Sequence, residues 1–211
     1  MHVQTAETIT FYGQYGKRIF DIVGVFILLL ITIPLMLGVL LLLFVTTGRP
    51  IFFKQIRTGY EHQRFIIWKL RTMAIQATPV NMPVICTEGI PDDYYFKTDQ
   101  DTRITKIGAI LRKLSIDEIP QLLNVLKGDM SIVGPRPEVP TITNSYSALQ
   151  ARRLEVKPGL TGLAQINGRS NISHGQKISY DIHYVENVTF WVDLKIVMKT
   201  FFVVLGRTGA Y

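Results

Sequence analysis

Two carboxylates, Asp117 and Glu118, stand side by side inside the otherwise apolar stretch LSIDEIPQLLNVL at 114–126. An ionised carboxylate can attack phosphorus and split one transfer into two easier steps. A second carboxylate beside it can join a divalent cation to a substrate phosphate. Such chemistry requires cations within reach, and the chain supplies candidates. Lys69 and Arg71 lie two apart in RFIIWKLR, and Arg112 lies in ILRKL just before the acids. Arg136 sits between two prolines in GPRPEVP, a stiff mount for a guanidinium that can grip phosphate through two parallel bonds. KPGLTGLAQINGRS offers Lys157 and Arg169 among glycines that allow a ligand to approach closely, without a Walker or dinucleotide fingerprint. A plainer reading competes: the acids cap a helix and the basic residues hold anionic lipid, making a non-catalytic membrane-anchored binding protein.

The elements that must position these residues begin with a membrane segment. From Ile22 to Val45 there is no charged side chain. As a helix this run reaches about 36 Å, enough for a hydrocarbon core of roughly 30 Å. Pro34 lies at its centre, and basic residues flank both ends: Lys17 and Arg18 before it, Arg49, Lys54 and Arg57 after it. A kinked spanning helix would violate the preference of positive charge for the cytoplasmic side at one end, whereas a re-entrant helix–break–helix satisfies it at both. Composition leaves both arrangements open.

Downstream, IFFKQIR and RFIIWKLR predict two short strands around the turn TGYEHQ, with Lys69 and Arg71 on one side. The Pro-rich, acidic stretch 74–101 reads as a loop. Ile104, Ile107, Leu111 and Leu114 predict an amphipathic helix leading into the acid pair. The acids then begin the next helix, either through a Ser115/Glu118 capping box or with Asp117 at the cap. FWVDLKIVMKTFFVVL reads as a core helix or one lying in the membrane interface, with Lys195 and Lys199 reaching headgroups.

The bulk composition fits this picture. The 211 residues carry 23 Lys plus Arg against 16 Asp plus Glu, a net charge of +7 that suits anionic partners. The basic residues are dispersed and lack aromatic recognition motifs, which argues against nucleic acid. One cysteine, Cys86, excludes an internal disulfide, and the four histidines are scattered without metal-site spacing.

In order, KRIFD, a Pro-interrupted apolar segment, FFKQIRTGYEHQRFIIWKLRTM, DTRITKIGAILRKLSIDEIPQLLNVLKGDMSIVGPRPE, KPGLTGLAQINGR and WVDLKIVMKT…GAY resemble the monotopic phosphoglycosyl transferases, also called bacterial sugar transferases. The resemblance covers nearly the whole chain. It implies a mostly α, α+β, membrane-associated single domain, with a re-entrant helix broken at Pro34 within 1–49, and a catalytic domain with interfacial helices over 50–211. It implies transfer of a sugar-1-phosphate from a UDP-sugar to polyprenyl (undecaprenyl) phosphate with release of UMP, at the cytoplasmic face of the bacterial inner membrane. This would be the first membrane step of exopolysaccharide or glycoconjugate assembly, handing its product to downstream glycosyltransferases. By the same resemblance Asp117 is the nucleophile and Glu118 the Mg²⁺-associated acid, with Asp117 beside it at the metal. Lys69, Arg112, Arg136 and Arg169 are then the phosphate-binding residues. One departure is Ile33-Pro34 at the break, where many members have Ser-Pro; the polar side chain that could steady a bend is lost.

Overall fold

The structure, a computed structural model, describes residues 12–74, 89–95, 103–168 and 171–206. Arg169, most of the 74–101 stretch and the closing GAY fall outside them. A π-helical turn, Tyr12–Gly16, leads into α1, Lys17–Thr47, a single 31-residue helix with Pro34 inside it. The helix runs on through Pro34 rather than splitting in two at the expected break. Strands β1, Phe52–Thr58, and β2, Arg64–Leu70, form the expected antiparallel hairpin, in which Lys69 faces Phe53 across the ladder. The turn between them places Glu61 and His62 in the left-handed region.

Helix α2, Lys106–Lys113, is capped by the Thr105 hydroxyl, which accepts from the Gly108 amide. Gly108 has no alternative here, since a Cβ would lie 2.1 Å from the Thr72 carbonyl oxygen. A 3₁₀ turn, Ile116–Gln121, and helix α3, Leu122–Lys127, follow. A short parallel pair joins β3, Ser131–Val133, to β4, Gly159–Thr161, with α4, Pro140–Thr143, and α5, Ala148–Ala151, between them. The chain ends in α6, Leu163–Ile166, α7, His174–Glu186, and α8, Phe190–Leu205. The described residues are thus mostly helical, with two small sheets.

Two apolar cores flank the acid pair. Val25 of α1, Ile67 of β2, Leu122 and Val125 of α3, Ile132, Tyr184 and Ile196 make one; Val39 and Leu43 of α1, Leu70 of β2 and Leu111 of α2 make the other. Helix α1 therefore packs on the same body near both of its ends. At its start Arg18 donates to the carbonyls of Val125 (2.6 Å) and Leu126 (2.7 Å), and Asp21 accepts from the Ser131 hydroxyl and the Ile132 amide, each at 2.8 Å. At its end Arg71 donates to the carbonyls of Thr47 and Gly48. Between these anchors the helix turns an apolar face outward, with Leu30 79% and Ile31 68% exposed. Among the described residues it is the one helix long and apolar enough to cross a membrane.

Two further expectations change here. Lys69 and Arg71 do not share a strand face, because β2 ends at Leu70 and Arg71 turns to the end of α1. Gly159 and Gly162 do not open a loop to a ligand. A Cβ at either would lie 2.1 Å from the Gly134 backbone, so these glycines let the β4 segment press against the chain leaving β3.

Candidate active site

Four segments converge on the acid pair. Ser115, at φ 55°, ends α2 and turns the chain into the 3₁₀ segment, which contains Pro120. Three residues per turn gives this segment three edges. Ile116 and Ile119 share the edge that packs on the two cores, Asp117 and Pro120 share a second, and Glu118 and Gln121 a third. The acids occupy the first turn, but neither caps it: Ser115 is the N-cap and no side chain bonds the turn's free amides. Asn124, fully buried, ties α3 to β2 by donating to the Ile66 carbonyl (2.7 Å) and accepting from the Trp68 amide (3.2 Å). That clamp holds Lys69 opposite the turn.

Glu118 Oε1 accepts from Lys69 Nζ at 2.7 Å and from Arg136 Nη2 at 2.6 Å, and Oε2 from Arg136 Nη1 at 3.3 Å. Arg136 grips its carboxylate through both nitrogens, as the Pro-Arg-Pro mount suggests. Although burial opposes it, the Arg136 and Lys69 charges hold the Glu118 carboxyl well below the usual range. Asp117 is 6% exposed, and no side chain among the described residues bonds its carboxylate. Burial and then the Glu118 charge push its pKa up from 3.8, against the pull of Lys69, Arg112 and Arg136. Arg112 acts on Asp117 through its charge while its Nε donates to the Thr72 hydroxyl at 2.8 Å. Of the expected site residues, Asp117, Glu118, Lys69, Arg112 and Arg136 therefore come together.

A residue absent from the sequence reading supports the mount. Arg153, buried and paired with Asp181 at 2.7 Å, donates to the Arg136 carbonyl at 2.9 Å and to the Tyr146 hydroxyl at 2.6 Å. Burial raises the Asp181 pKa to about 6, although Arg153 opposes it. No local pattern announces Arg153, because its partners lie far along the chain. Gln121 was also missed, and its signal was readable: it stands three residues after Glu118, which a 3₁₀ turn places on the same edge.

The bacterial sugar transferase family model matches residues 12–207. The chain belongs to that family. It is 44% identical to the sugar transferase EpsL of Bacillus subtilis over 194 residues, covering 92% of this chain and 89% of that protein. It is 41% identical to the undecaprenyl-phosphate galactose phosphotransferase of Salmonella typhimurium, covering 94% of this chain and 42% of that longer protein. A UDP-glucose:undecaprenyl-phosphate glucose-1-phosphate transferase of Caulobacter vibrioides is 40% identical, with 92% of this chain and 72% of that protein covered. This bacterial sugar transferase is an enzyme of the phosphoglycosyl transferase type.

Proposed function

We propose that this sugar transferase moves a sugar-1-phosphate from a UDP-sugar to polyprenyl phosphate in two steps. The observation that carries the reading is the buried Asp117 carboxylate, bonded by no side chain among the described residues, beside a Glu118 already paired with Lys69 and Arg136. In the first step an Asp117 oxygen attacks the sugar-bearing phosphorus. The bond from that phosphorus to the bridging oxygen breaks, UMP leaves with the electron pair, and an acyl phosphate links the sugar to Asp117. In the second step an oxygen of the lipid phosphate attacks the same phosphorus and returns Asp117 as a free carboxylate. Lys69, Arg112 and Arg136 offset the negative charge gathering around the transferring group. The relatives named for undecaprenyl-phosphate transfer support the same acceptor class.

The donor set suits Mg²⁺, which prefers oxygen ligands and is commonly held by one or two carboxylates together with substrate phosphates. Asp117 has the unbonded carboxylate and Glu118 stands beside it, so these two would hold the ion, which when bound would neutralise diphosphate charge. Arg169 remains a proposed phosphate contact outside the described residues.

The docking of both ends of α1 on one body supports the re-entrant reading, in which the catalytic body at 50–211 would lie on the cytoplasmic face. A bend within the helix would let both ends return to that face. Helix α8 buries Asp193 and Ile196 while exposing Trp191, Met198, Phe201 and Phe202 beside Lys195 and Lys199, a face suited to the membrane interface. The product would enter surface-glycan assembly.

UMP release from a panel of UDP-sugars, in vesicles containing polyprenyl phosphate and Mg²⁺, tests the proposal. Release that depends on Asp117 supports it. Charge-driven lipid binding with no UMP from any donor would return the chain to a non-catalytic role.

A further inference from the structure

Beside the Glu118 cluster lies a small polar cavity walled by Arg57, Ile67, Lys69, Gln121, Arg136 and Pro137. Its free volume of about 10 Å³ is room for one water-sized atom. Gln121 is 2% exposed, yet its Nε2 has no hydrogen-bond partner among the described residues. The Nε of Arg57 is likewise buried and unpaired, while its other nitrogens are held by the Pro137 carbonyl at 3.1 Å and by Gln55 Oε1 at 2.6 Å. Buried donors in folded proteins are nearly always paired, so two unpaired donors around one atom-sized cavity mark a place for an acceptor. Three cations line that cavity; Lys69 and Arg136 share the single Glu118 carboxylate, and among the described residues the carboxylate paired with Arg57, Glu138, stands off at 3.8 Å, which leaves the cavity's lining with an excess of positive charge. The acceptor that fits is therefore anionic.

We propose that this cavity is a phosphoryl-oxygen subsite. Gln121 Nε2 and Arg57 Nε donate to one non-bridging oxygen of a substrate phosphate, whose remaining oxygens meet Lys69 and Arg136. The 3₁₀ turn accounts for the arrangement, since it stacks Gln121 directly beside Glu118. Which phosphate occupies it rests on the transferase reading: it belongs either to the UDP-sugar or to the lipid acceptor.

The test uses the full chain in lipid nanodiscs and two variants, Gln121→Met, which keeps length and removes the donor, and Arg57→Lys, which keeps charge and removes Nε. Calorimetric titration with inorganic pyrophosphate is expected to show binding weakened roughly tenfold or more by Gln121→Met, the scale of losing a hydrogen bond to a charged group. Its melting temperature should not fall, because the substitution deletes an unpaired buried amide. Arg57→Lys should weaken binding in the same direction. Single-turnover UMP release without acceptor, followed by discharge to polyprenyl phosphate, separates the sources. A slowed release places the donor's phosphate in the subsite, and a slowed discharge places the acceptor's. Pyrophosphate affinity and both half-reactions within twofold of wild type in both variants would overturn the proposal and leave the cavity to a water. If the wild-type chain releases no UMP from any UDP-sugar but Gln121→Met still weakens pyrophosphate binding, the subsite stands and the transferase reading falls.

Discussion

Two buried charge clusters in this enzyme use the same residue types and finish them differently. Where α1 begins, Asp193 accepts from Lys17 Nζ at 2.7 Å, from the Tyr12 hydroxyl at 2.6 Å and from the Tyr184 hydroxyl at 2.7 Å; Lys17 also donates to the Val133 carbonyl at 3.0 Å. Every charge there has protein partners on several sides. At the acid pair, Glu118 is paired with Lys69 and Arg136, mainly through Oε1, but Asp117, Gln121 Nε2 and Arg57 Nε have no partner among the described residues. A closed polar network fixes geometry, and an open one keeps desolvated groups ready for a ligand that completes it. The difference separates the cluster that holds the start of α1 from the one we propose does the chemistry.

Substitution should therefore dissociate stability from activity. The largest effect is expected for Asp117→Asn: UMP release falls on the order of 10³-fold or more, as for loss of a nucleophile, while the melting temperature holds or rises. The sign follows from the raised pKa of Asp117. An acid that binds its proton more tightly when folded destabilises the fold above that pKa, and the cost vanishes as pH falls below the unfolded value. Asp193→Asn should do the reverse, losing about 2–4 kcal/mol by stranding the partly buried Lys17 and the two tyrosine hydroxyls, with kcat in the protein that remains folded within a few-fold of wild type. Thermal melting and turnover on the same nanodisc samples read both variants.

Glu118→Gln falls between these two. Both cations lose their carboxylate, but Arg136 is 47% exposed and can rehydrate, so the expected stability loss is about 1–3 kcal/mol. The depressed pKa of Glu118 means its contribution is present at neutral pH and is lost as pH drops below the ordinary carboxylate range. A subtler effect lies in the pH profile. Activity should fall on the acid side with a midpoint above 3.8, the ordinary value for aspartate. Lys69→Met should move that limb to higher pH by removing a charge that favours ionised Asp117, and Glu118→Gln should move it lower; a limb that stays put in both would mean Asp117 does not set it. The smallest effect on activity is expected of Asp181→Asn, which loosens Arg153 under the Arg136 carbonyl. A few-fold rise in donor KM with little change in kcat would mark Arg153 as a positioning residue.

How much of this was legible follows the range of the interactions. The hairpin was readable because β-branched and aromatic runs around a turn are a local signal, and the acid pair because two carboxylates between apolar residues are conspicuous. The pairing of Glu118 with Lys69 and Arg136 joins residues far apart in the chain, so composition offered the parts without the contacts. Lys17 and Arg18 looked like flanking charges that set the orientation of the apolar segment, yet in the structure they bind Asp193 and the carbonyls ending α3. Arg71 illustrates a boundary effect, since one residue beyond the strand its side chain leaves the face that Lys69 keeps. Gln121 was legible only in part: three residues after Glu118 it is a neighbour in either type of helix, but the cavity it lines with Arg57 and Arg136 joins segments far apart in the chain.

The central claim is that Asp117 carries the phosphosugar between the two substrates. Its most direct test incubates the wild-type chain with a UDP-sugar and Mg²⁺ in nanodiscs lacking polyprenyl phosphate, then maps the protein by mass spectrometry after a rapid quench. The account predicts one equivalent of UMP and a sugar-phosphate mass on the peptide bearing Asp117, chased off by added acceptor and absent from Asp117→Asn. UMP release that requires the lipid acceptor, with no modified peptide, or a modification on another residue, would contradict it.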